Sequence, residues 1–500
     1  MRPTALRAVP QRMRNMKTKA LLPFVGVAVF VAGCTMAPKY SRPPAPIPAE
    51  WPAGPACRQA GASANAPLAP DLNWQEFFTD PKLQRVIGLA LTNNRDLRLA
   101  ALNVERARAL YGIQRDELFP ALYVQGAGGK SRASADLTPP GQPRTTEHYS
   151  VDLGVLAWEI DFFGRIRSLK DRALQEYLAS QYGRRSAQIL LVSSTAQAYL
   201  ALAADREGLA LAKSTLQTQQ AVYDLVKRQY ELGVATELDL RQAQTPLESA
   251  RREVAAYTQR VAQDENALNL LAGGPVPPEL LPDGLDRVRL PGEVAAGLSS
   301  DVLLRRPDVL QAEAMLKAAN ADIGAARAAF FPRISLTTML GTASDELSGL
   351  FESGTKTWSY TPQIVMPIFD ARTWSALKAS KVQRQIVLTQ YEKAIQTAFR
   401  EVADALAACG ATDKQLSAQQ AMVKALAEAH RLAKARFEKG VDSYLAVLDA
   451  QRSLFAAQQG LISLRLAKAA SRIQLYAALG GGGAEENLGE SDRIELVGRK

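Results

Sequence analysis

The sequence predicts a mostly helical chain with a small β part, built from two similar halves. Four observations lead to this fold class. Long stretches without proline carry apolar residues at helical spacing, most clearly over residues 163–232. A motif near residue 233 returns near residue 440, and four other segments alternate apolar and polar residues as β-strands do. Aromatic residues make up only 7% of the chain, which favours long helices over a compact α/β enzyme.

The internal repeat is the most informative feature. Residues 230–244 read YELGVATELDLRQAQ, and residues 437–451 read FEKGVDSYLAVLDAQ. The offset between them is 207, and it becomes 212 further upstream. Other matched pairs are Phe162/Phe369, Gly274/Gly481, Asp96/Asp308 and Phe119-Pro120/Phe331-Pro332. Because self-similarity at a fixed offset marks a duplicated structural unit, we expect both halves to follow one plan.

Proline placement defines the helices of each half. No proline occurs from residue 144 to residue 245 or after Pro367. The predicted helices are 82–118, 163–232 and 236–272 in the first half, and 307–331, 371–439 and 443–479 in the second. As a single helix, 163–232 would be about 105 Å long at 1.5 Å per residue. This length is typical of coiled-coil packing.

Four segments show the alternation of strands, and a loop is expected over 126–148 between the first two. Their apolar positions are Leu122 and Val124; Tyr149, Val151, Leu153, Val155 and Ala157; Ile334, Leu336 and Leu340; and Trp358, Tyr360 and Ile364. Strands of about ten residues with one apolar face are typical of a transmembrane barrel, although a soluble β-hairpin domain also alternates. Four strands cannot close a barrel, so in a membrane several chains must share one.

The N-terminus has the three parts of an export signal. A basic region is followed by the apolar stretch 20–31, which is too short for an ordinary transmembrane helix. Val31-Ala-Gly-Cys34 then resembles a bacterial lipobox, in which Cys34 accepts the lipid. The alternative is an uncleaved anchor with an incidental cysteine. Prolines mark the following segment, 34–81, as a flexible tether.

Charge and residue counts argue against several function classes. The formal net charge is +10, but residues 1–33 hold six Arg or Lys and no acid, so the remainder carries +4. A nucleic-acid-binding function thus loses its main support. Two histidines and three cysteines offer little material for a metal site, and no nucleophile with a nearby base is recognisable. We expect no enzyme activity and no cofactor.

Two turns stand out within the repeat. Each has a glycine where one helix ends and Thr or Ser where the next begins, as in a C-cap followed by an N-cap. They are Gly233, Val234, Ala235 and Thr236, and Gly440, Val441, Asp442 and Ser443. Turn formation alone explains these residue types. Both turns nevertheless fall at the end of the helices farthest from the strands.

Together these motifs resemble the TolC-like outer-membrane efflux proteins, specifically the lipoprotein branch that serves resistance-nodulation-division pumps (NodT-type outer membrane factors). The resemblance covers residues 34–481. Its motifs are Val31-Ala-Gly-Cys34, Trp158-Glu-Ile-Asp-Phe-Phe-Gly-Arg165, Leu303-Leu-Arg-Arg-Pro-Asp308 with Ala312-Glu313, Phe331-Pro332 and the paired Gly-Val turns. Each motif is weak alone, but their order within a duplicated chain is specific.

The resemblance implies a homotrimer with a 12-stranded outer-membrane barrel, four strands per protomer, joined to a long periplasmic α-barrel. Such a channel is a passive exit duct that carries small molecules (drugs, toxic compounds or metals) from a periplasmic adaptor and an inner-membrane pump to the exterior. The expected segments are the signal peptide 1–33, the lipidated tether 34–81, the repeats 82–274 and 307–481, the linker 275–306 and a disordered tail 482–500.

The resemblance also suggests roles for particular residues. The two turns would contact the adaptor at the periplasmic tips. Leu445 and Asp449 are four residues apart and so share a helix face, where three copies would form a leucine ring and a carboxylate ring as a gate. Asp239 would add negative charge; ordinary solvated acids are the alternative. The rival function is a periplasmic adaptor lipoprotein, which needs one helical hairpin flanked by compact β domains.

Overall fold

The computed structural model describes residues 35–52, 54, 69–294 and 299–481. The predicted signal peptide, Cys34 and the tail 482–500 lie outside the described residues. The helices are α1 (Trp74–Phe77), α2 (Pro81–Asn93), α3 (Arg95–Asp116), α4 (Arg165–Glu231), α5 (Glu237–Ala272), α6 (Pro307–Ala328), α7 (Ala371–Glu438) and α8 (Tyr444–Ala478). The strands are β1 (Leu122–Arg132), β2 (Thr145–Glu159), β3 (Arg333–Ser344) and β4 (Lys356–Val365). This content confirms the predicted mostly helical fold class with a small β part.

The duplication is visible in the backbone. Gly233 and Gly440 lie 207 residues apart and have φ of 74° and 73°. Gly273 and Gly480, at the ends of α5 and α8, have φ of 75° and 77°. This left-handed conformation strains residues that carry a Cβ, so glycine is favoured at each helix end.

The single helix predicted over 82–118 is wrong, because the chain breaks at Asn94. That residue is extended, with ψ of 132°. Its Oδ1 accepts hydrogen bonds from the backbone amides of Asp96 and Leu97, at 2.9 and 3.0 Å. An asparagine side chain that caps a following helix in this way competes with continuation of the preceding one.

The four strands form one antiparallel sheet in the order β1-β2-β3-β4. The predicted loop 126–148 is too long at both ends, because β1 continues to Arg132 and β2 already begins at Thr145. Glycines in this part of β1 hide the alternation from the sequence. They are nevertheless paired, and Gly128 lies opposite Tyr149. The strands are therefore longer than the sequence pattern indicated.

The predicted alternation in β2 also ends early, at Val155. The pairing with β3 shifts between Val155 and Trp158, and Ala157 has φ of 49°. The Ala157 amide donates to Thr337 Oγ1 at 3.1 Å, so the residue is part of a bulge. Ala157 is therefore not a regular member of the apolar face.

The described chain divides into two compact units. One contains the sheet and comprises 35–42, 106–178 and 314–388. The other comprises 43–52, 54, 69–105, 179–294, 299–313 and 389–481. Each unit takes segments from both halves of the repeat. Among the described residues, α4 is the one helix long and apolar enough to cross a membrane, and 56% of that apolar window is buried, as in a core helix.

Candidate functional site

One face of the sheet carries an apolar row that crosses all four strands. Val124 pairs with Leu153, Leu153 with Leu340, and Leu340 with Trp358. Each of these side chains is at least 50% exposed. The neighbouring row, which points to the opposite face, consists of Gln125, Asp152, Gly341 and Thr357. The sheet thus has one apolar and one polar face, and the apolar face is uncovered in a single chain.

The edges of the sheet are open as well. In the described chain, β1 and β4 each have a partner strand on one side only. Their outer N–H and C=O groups are therefore available to another strand, and such an edge favours pairing with a further chain.

The N-terminal segment, predicted as a flexible tether, is instead bound where the structure describes it. Within the sheet-containing unit, Arg327 Nη1 donates to the Met36 carbonyl at 3.1 Å. Asn320 Nδ2 donates to the Pro38 carbonyl at 2.7 Å. A proline-rich extended chain leaves its carbonyls without internal partners, so side chains of α6 can bind them. Sequence composition alone does not reveal such partners.

The next part of this segment is bound within the second unit. The Ser300 hydroxyl donates to the Pro48 carbonyl at 2.6 Å, and the Ser300 amide donates to the Ala49 carbonyl at 2.9 Å. The ring of Trp51 stacks on Phe399 at 5.3 Å between centroids. The segment 35–52 is thus held by both backbone hydrogen bonds and aromatic packing.

The first helical turn joins α4 to α5 and has the predicted caps. The amides of Gly233 and Val234 donate to the carbonyls of Tyr230 and Gln229, at 2.9 and 2.8 Å. Thr236 then caps α5: its Oγ1 accepts from the Asp239 amide, and Asp239 Oδ2 accepts from the Thr236 amide. Hydrogen bonds from the Thr236 side chain and backbone lower the pKa of Asp239. The Asp239 carboxylate therefore has a structural role in this capping box.

The second turn joins α7 to α8 with the same backbone and a different side-chain chemistry. Gly440 and Val441 repeat the two backbone bonds, at 2.8 and 2.9 Å. Ser443 occupies the N-cap position, but its side chain makes no capping hydrogen bond, contrary to prediction. Asp442 instead accepts from the Arg436 guanidinium, and this hydrogen bond lowers the pKa of Asp442. An exposed ion pair thus takes the place of the capping box.

Both turns present apolar side chains to solvent. The side chains of Val234 and Val441 are 78% and 60% exposed. Leu232 and Leu238, beside the first turn, are exposed to a similar degree. Exposed apolar groups at two related tips are suited to contact with a partner protein. The adaptor contact predicted for these residues is a property of an assembly, and it stays a prediction.

The predicted gate residues occupy different environments. Leu445 and Asp449 lie on one face of α8 and line the same cavity beside α5. Asp449 accepts from Arg452 Nη2 at 2.6 Å, so its charge is partly compensated on its own helix. Asp239 is held in the first turn, and it does not line this cavity. The structure therefore brings Leu445 and Asp449 to one cavity and leaves Asp239 outside it.

Arg306 is a residue whose role sequence reasoning missed. It was recognised only as part of the Arg-Arg-Pro-Asp motif, yet its side chain is buried beside three partners. It donates to Asp308 at 2.7 Å, to Glu401 at 2.9 Å and to the Ala478 carbonyl at 2.6 Å. Arg306 therefore joins the start of α6 to α7 and to the end of α8.

Comparison with known proteins gives matches along nearly the whole chain. The family model described as outer membrane efflux protein matches residues 86–274 and 298–481. The antibiotic efflux pump outer membrane protein ArpC and the toluene efflux pump outer membrane protein TtgC, both of Pseudomonas putida, are each 48% identical over 471 residues. These alignments cover 94% of this chain and 97% of either relative. The open state of the Neisseria gonorrhoeae MtrE outer membrane channel is 39% identical with a TM-score of 0.81, over 90% of this chain and 99% of that one.

Proposed function

This chain belongs to the outer membrane efflux protein family, and from that premise we propose that three copies share one 12-stranded barrel and form a passive exit duct. The protein lies in the outer membrane and is the channel component of an efflux pump. The family match is to the channel component, which excludes the adaptor alternative.

The open four-stranded sheet carries this proposal. Its apolar row suits lipid, while its two unpaired edges would leave backbone polar groups unsatisfied in hydrocarbon. Pairing β1 of one copy with β4 of the next removes both edges. Three copies supply twelve strands, which is a closed barrel wide enough for a polar lumen.

The native mass of the detergent-solubilised protein tests the assembly, and its ion conductance in a planar bilayer tests the duct. We expect a trimer that conducts. A stable monomer that folds normally would overturn the shared barrel, and a trimer without conductance would overturn the open route through it.

We further propose that Cys34 carries the lipid and that the mature protein begins there. The lipobox sequence supports this, as does the binding of the residues just after it to α6. Substitution Cys34→Ala should abolish incorporation of labelled fatty acid while leaving the barrel able to insert. Labelling that persists in the variant would show that another residue is modified.

The cargo and the partners follow from the relatives. ArpC is named for antibiotic efflux and TtgC for toluene efflux, so we propose small organic compounds as the cargo class. The exposed tips at Gly233–Thr236 and Gly440–Ser443 would meet a periplasmic adaptor. An inner-membrane pump of the resistance-nodulation-division type would supply the energy, because a passive duct has no energy source of its own.

The gate is proposed at Leu445 and Asp449, where three symmetry copies would place two rings across the duct. Their spacing of four residues, which places them on one face of α8, supports this arrangement. Substitution Asp449→Ala should raise the conductance, because it removes both the carboxylate and its link to Arg452. Equal conductance of the two proteins would exclude Asp449 from the gate. Glu248, a half-exposed acid of α5 that is paired with Arg251, provides a control, since Glu248→Gln should leave the conductance unchanged.

A further inference from the structure

A cavity of about 490 Å³ lies within the second unit, between the α4–α5 hairpin and α8. Cavities of roughly 300–1,000 Å³ accommodate drug-sized molecules. The facing helices, α5 and α8, are equivalent in the duplication, since Gln242 and Asp449 both line the cavity and lie 207 residues apart. Some residues that line the cavity nevertheless differ from the residues at the matching positions of the other half, and these differences favour binding of a ligand.

Gln219 is the first departure. The residue is only 5% exposed, and its Oε1 has no hydrogen-bond partner among the described residues, although it lines the cavity. The second half has Leu426 at the matching position. A buried amide oxygen without a donor has lost its hydrogen bonds to water without a replacement, which destabilises the empty site. A ligand that donates a hydrogen bond would remove this destabilisation, whereas an apolar occupant would not.

Pro246 is the second departure. It lies inside α5 and lines the cavity, where the second half has Ser453. Proline has no N–H, so it cannot donate the helical hydrogen bond to the carbonyl of Gln242, four residues earlier. This carbonyl belongs to another lining residue. In the first half, a residue that lines the cavity therefore has a carbonyl without its helical donor.

The charges around the cavity favour a cation. Two carboxylates, Glu253 and Asp449, line it together with one guanidinium, that of Arg452. Glu253 is paired with Arg252, but that arginine side chain is 76% exposed and does not line the cavity. The lining thus carries an excess of one negative charge.

Apolar side chains complete the lining. Leu445, Leu448 and Phe455 of α8 face the cavity, opposite Pro246. A wall of this kind favours a flat or greasy body, whereas the amide oxygen and carboxylates favour a positively charged donor.

We propose that this cavity binds one amphipathic organic cation per chain, an aromatic body that carries amine or ammonium groups. The amines donate to Gln219 Oε1 and to the Gln242 carbonyl, the positive charge lies near Asp449 and Glu253, and the ring packs on Leu448 and Phe455. Because the occupant contacts both α5 and α8, it links the two hairpins near their tips. The site is formed by one chain and does not rest on the proposed trimer or duct.

Ethidium is a suitable probe, because it is a planar aromatic cation with two amines. Its fluorescence is titrated with the purified full-length protein at near-neutral pH, and neutral phenanthridine serves as the uncharged comparison. We expect one saturable ethidium site per chain and at least tenfold weaker binding of phenanthridine. Gln219→Leu, which installs the residue of the second half, and Asp449→Asn should each raise the ethidium Kd by about tenfold, or ~1.4 kcal/mol.

The matched control is Glu248→Gln, which removes a carboxylate of α5 that does not line the cavity. It should bind ethidium as the wild type does. Circular dichroism and native mass establish that each variant is folded and assembled as the wild type. Absence of saturable binding, equal binding by all four proteins, or equal binding of phenanthridine would each overturn the proposal. Conductance is measured separately, so failure of this site and failure of the duct are distinguishable.

Discussion

In each half of the chain, a side chain hydrogen-bonds to a carbonyl near the end of the half's last helix, which is α5 in the first half and α8 in the second. We call this hydrogen bond the closure of that half, and the two closures differ in their donors. Asn94 and Arg306 occupy matching positions at the upstream offset of 212. Asn94 Nδ2 donates to the Leu271 carbonyl at 3.0 Å, and Arg306 Nη1 donates to the Ala478 carbonyl at 2.6 Å. These carbonyls lie 207 residues apart, near the ends of α5 and α8. The duplication thus kept a hydrogen bond between the entry residue and the final helix while its donor changed from an amide to a guanidinium.

The difference between the donors shows how duplicated halves diverge. The side-chain oxygen of Asn94 accepts hydrogen bonds from the amides of Asp96 and Leu97, and in this way it caps α3. The Arg306 side chain has no acceptor atom, so it cannot cap α6. It also brings a buried positive charge that Asp308 and Glu401 balance. The bonding of Arg306, the second closure, therefore spans three helices and depends on charge, whereas the bonding of Asn94, the first closure, involves no charged side chain.

The largest expected effect is that of Arg306→Ala. Removing one partner of a buried ion pair costs roughly 3–5 kcal/mol. Because Asp308 and Glu401 are each more than a third exposed and can gain water, we expect the lower end of this range. Thermal unfolding, followed by circular dichroism, should show a clearly lower midpoint for the variant.

The matched substitution in the first half is Asn94→Ala, for which the loss of an N-cap predicts about 1 kcal/mol. Arg306→Lys keeps the charge but loses the forked geometry, so its midpoint should lie between those of wild type and Arg306→Ala. Equal destabilisation by Asn94→Ala and Arg306→Ala would show that charge adds nothing to the second closure.

The two turns can also be compared, although the expected changes in stability are smaller than that for Arg306→Ala. Thr236 caps α5 with its side chain, whereas Ser443 makes no such bond. We expect Thr236→Ala to destabilise the first hairpin by about 1 kcal/mol and Ser443→Ala to have almost no effect. Amide hydrogen exchange at the two turns measures the difference directly. Faster exchange after Ser443→Ala as well would mean that this serine caps α8 in solution.

Much of this architecture could be predicted from the sequence, for reasons that particular residues illustrate. The fixed offset located both turns, since only glycine fits the left-handed positions 233 and 440 easily. Asn94 was missed as a helix break because apolar spacing continues on both sides of it. Arg306 was missed because its partners Glu401 and Ala478 are distant in sequence. At the offset of 212, Asn94 matches Arg306, which directly precedes Pro307. Because proline favours the first position of a helix, this match indicates a helix start after both residues.

Of the candidate sites as well, one could be predicted from local sequence, and another depends on contacts between distant segments. The capping box at Thr236 follows from local spacing, so sequence could predict it. The cavity beside Gln219 depends on which faces of α4, α5 and α8 meet, and periodicity alone does not fix this. A signal was nevertheless present, because Gln219 and Pro246 are the polar and helix-breaking members of pairs whose partners are Leu426 and Ser453. Departures from an internal repeat thus indicate positions with a separate role.

The smallest expected effect is on pH dependence, and it separates the halves at one further pair of positions. Asp205 and Asp264 face each other in the first half, and the second half has Thr412 and Ser471 there. Burial, followed by repulsion from Asp205, raises the pKa of Asp264 from 3.8 to about 6. The folded state therefore binds a proton more tightly than the unfolded state. The stabilisation from this proton is complete below pH 3.8 and is lost as the pH rises through about 6.

Substitution Asp264→Asn should consequently raise the thermal midpoint above pH 6 and change it little near pH 4, because the neutral amide avoids the charge repulsion at every pH. The gain is modest, because Asp264 is only partly buried and water screens the repulsion from Asp205. Ser471→Ala is the control in the second half, and any shift it causes should be the same at both pH values, because a hydroxyl does not titrate there. A midpoint difference between wild type and Asp264→Asn that stays constant from pH 4 to pH 8 would mean that Asp264 titrates normally and that the two halves respond to acid alike.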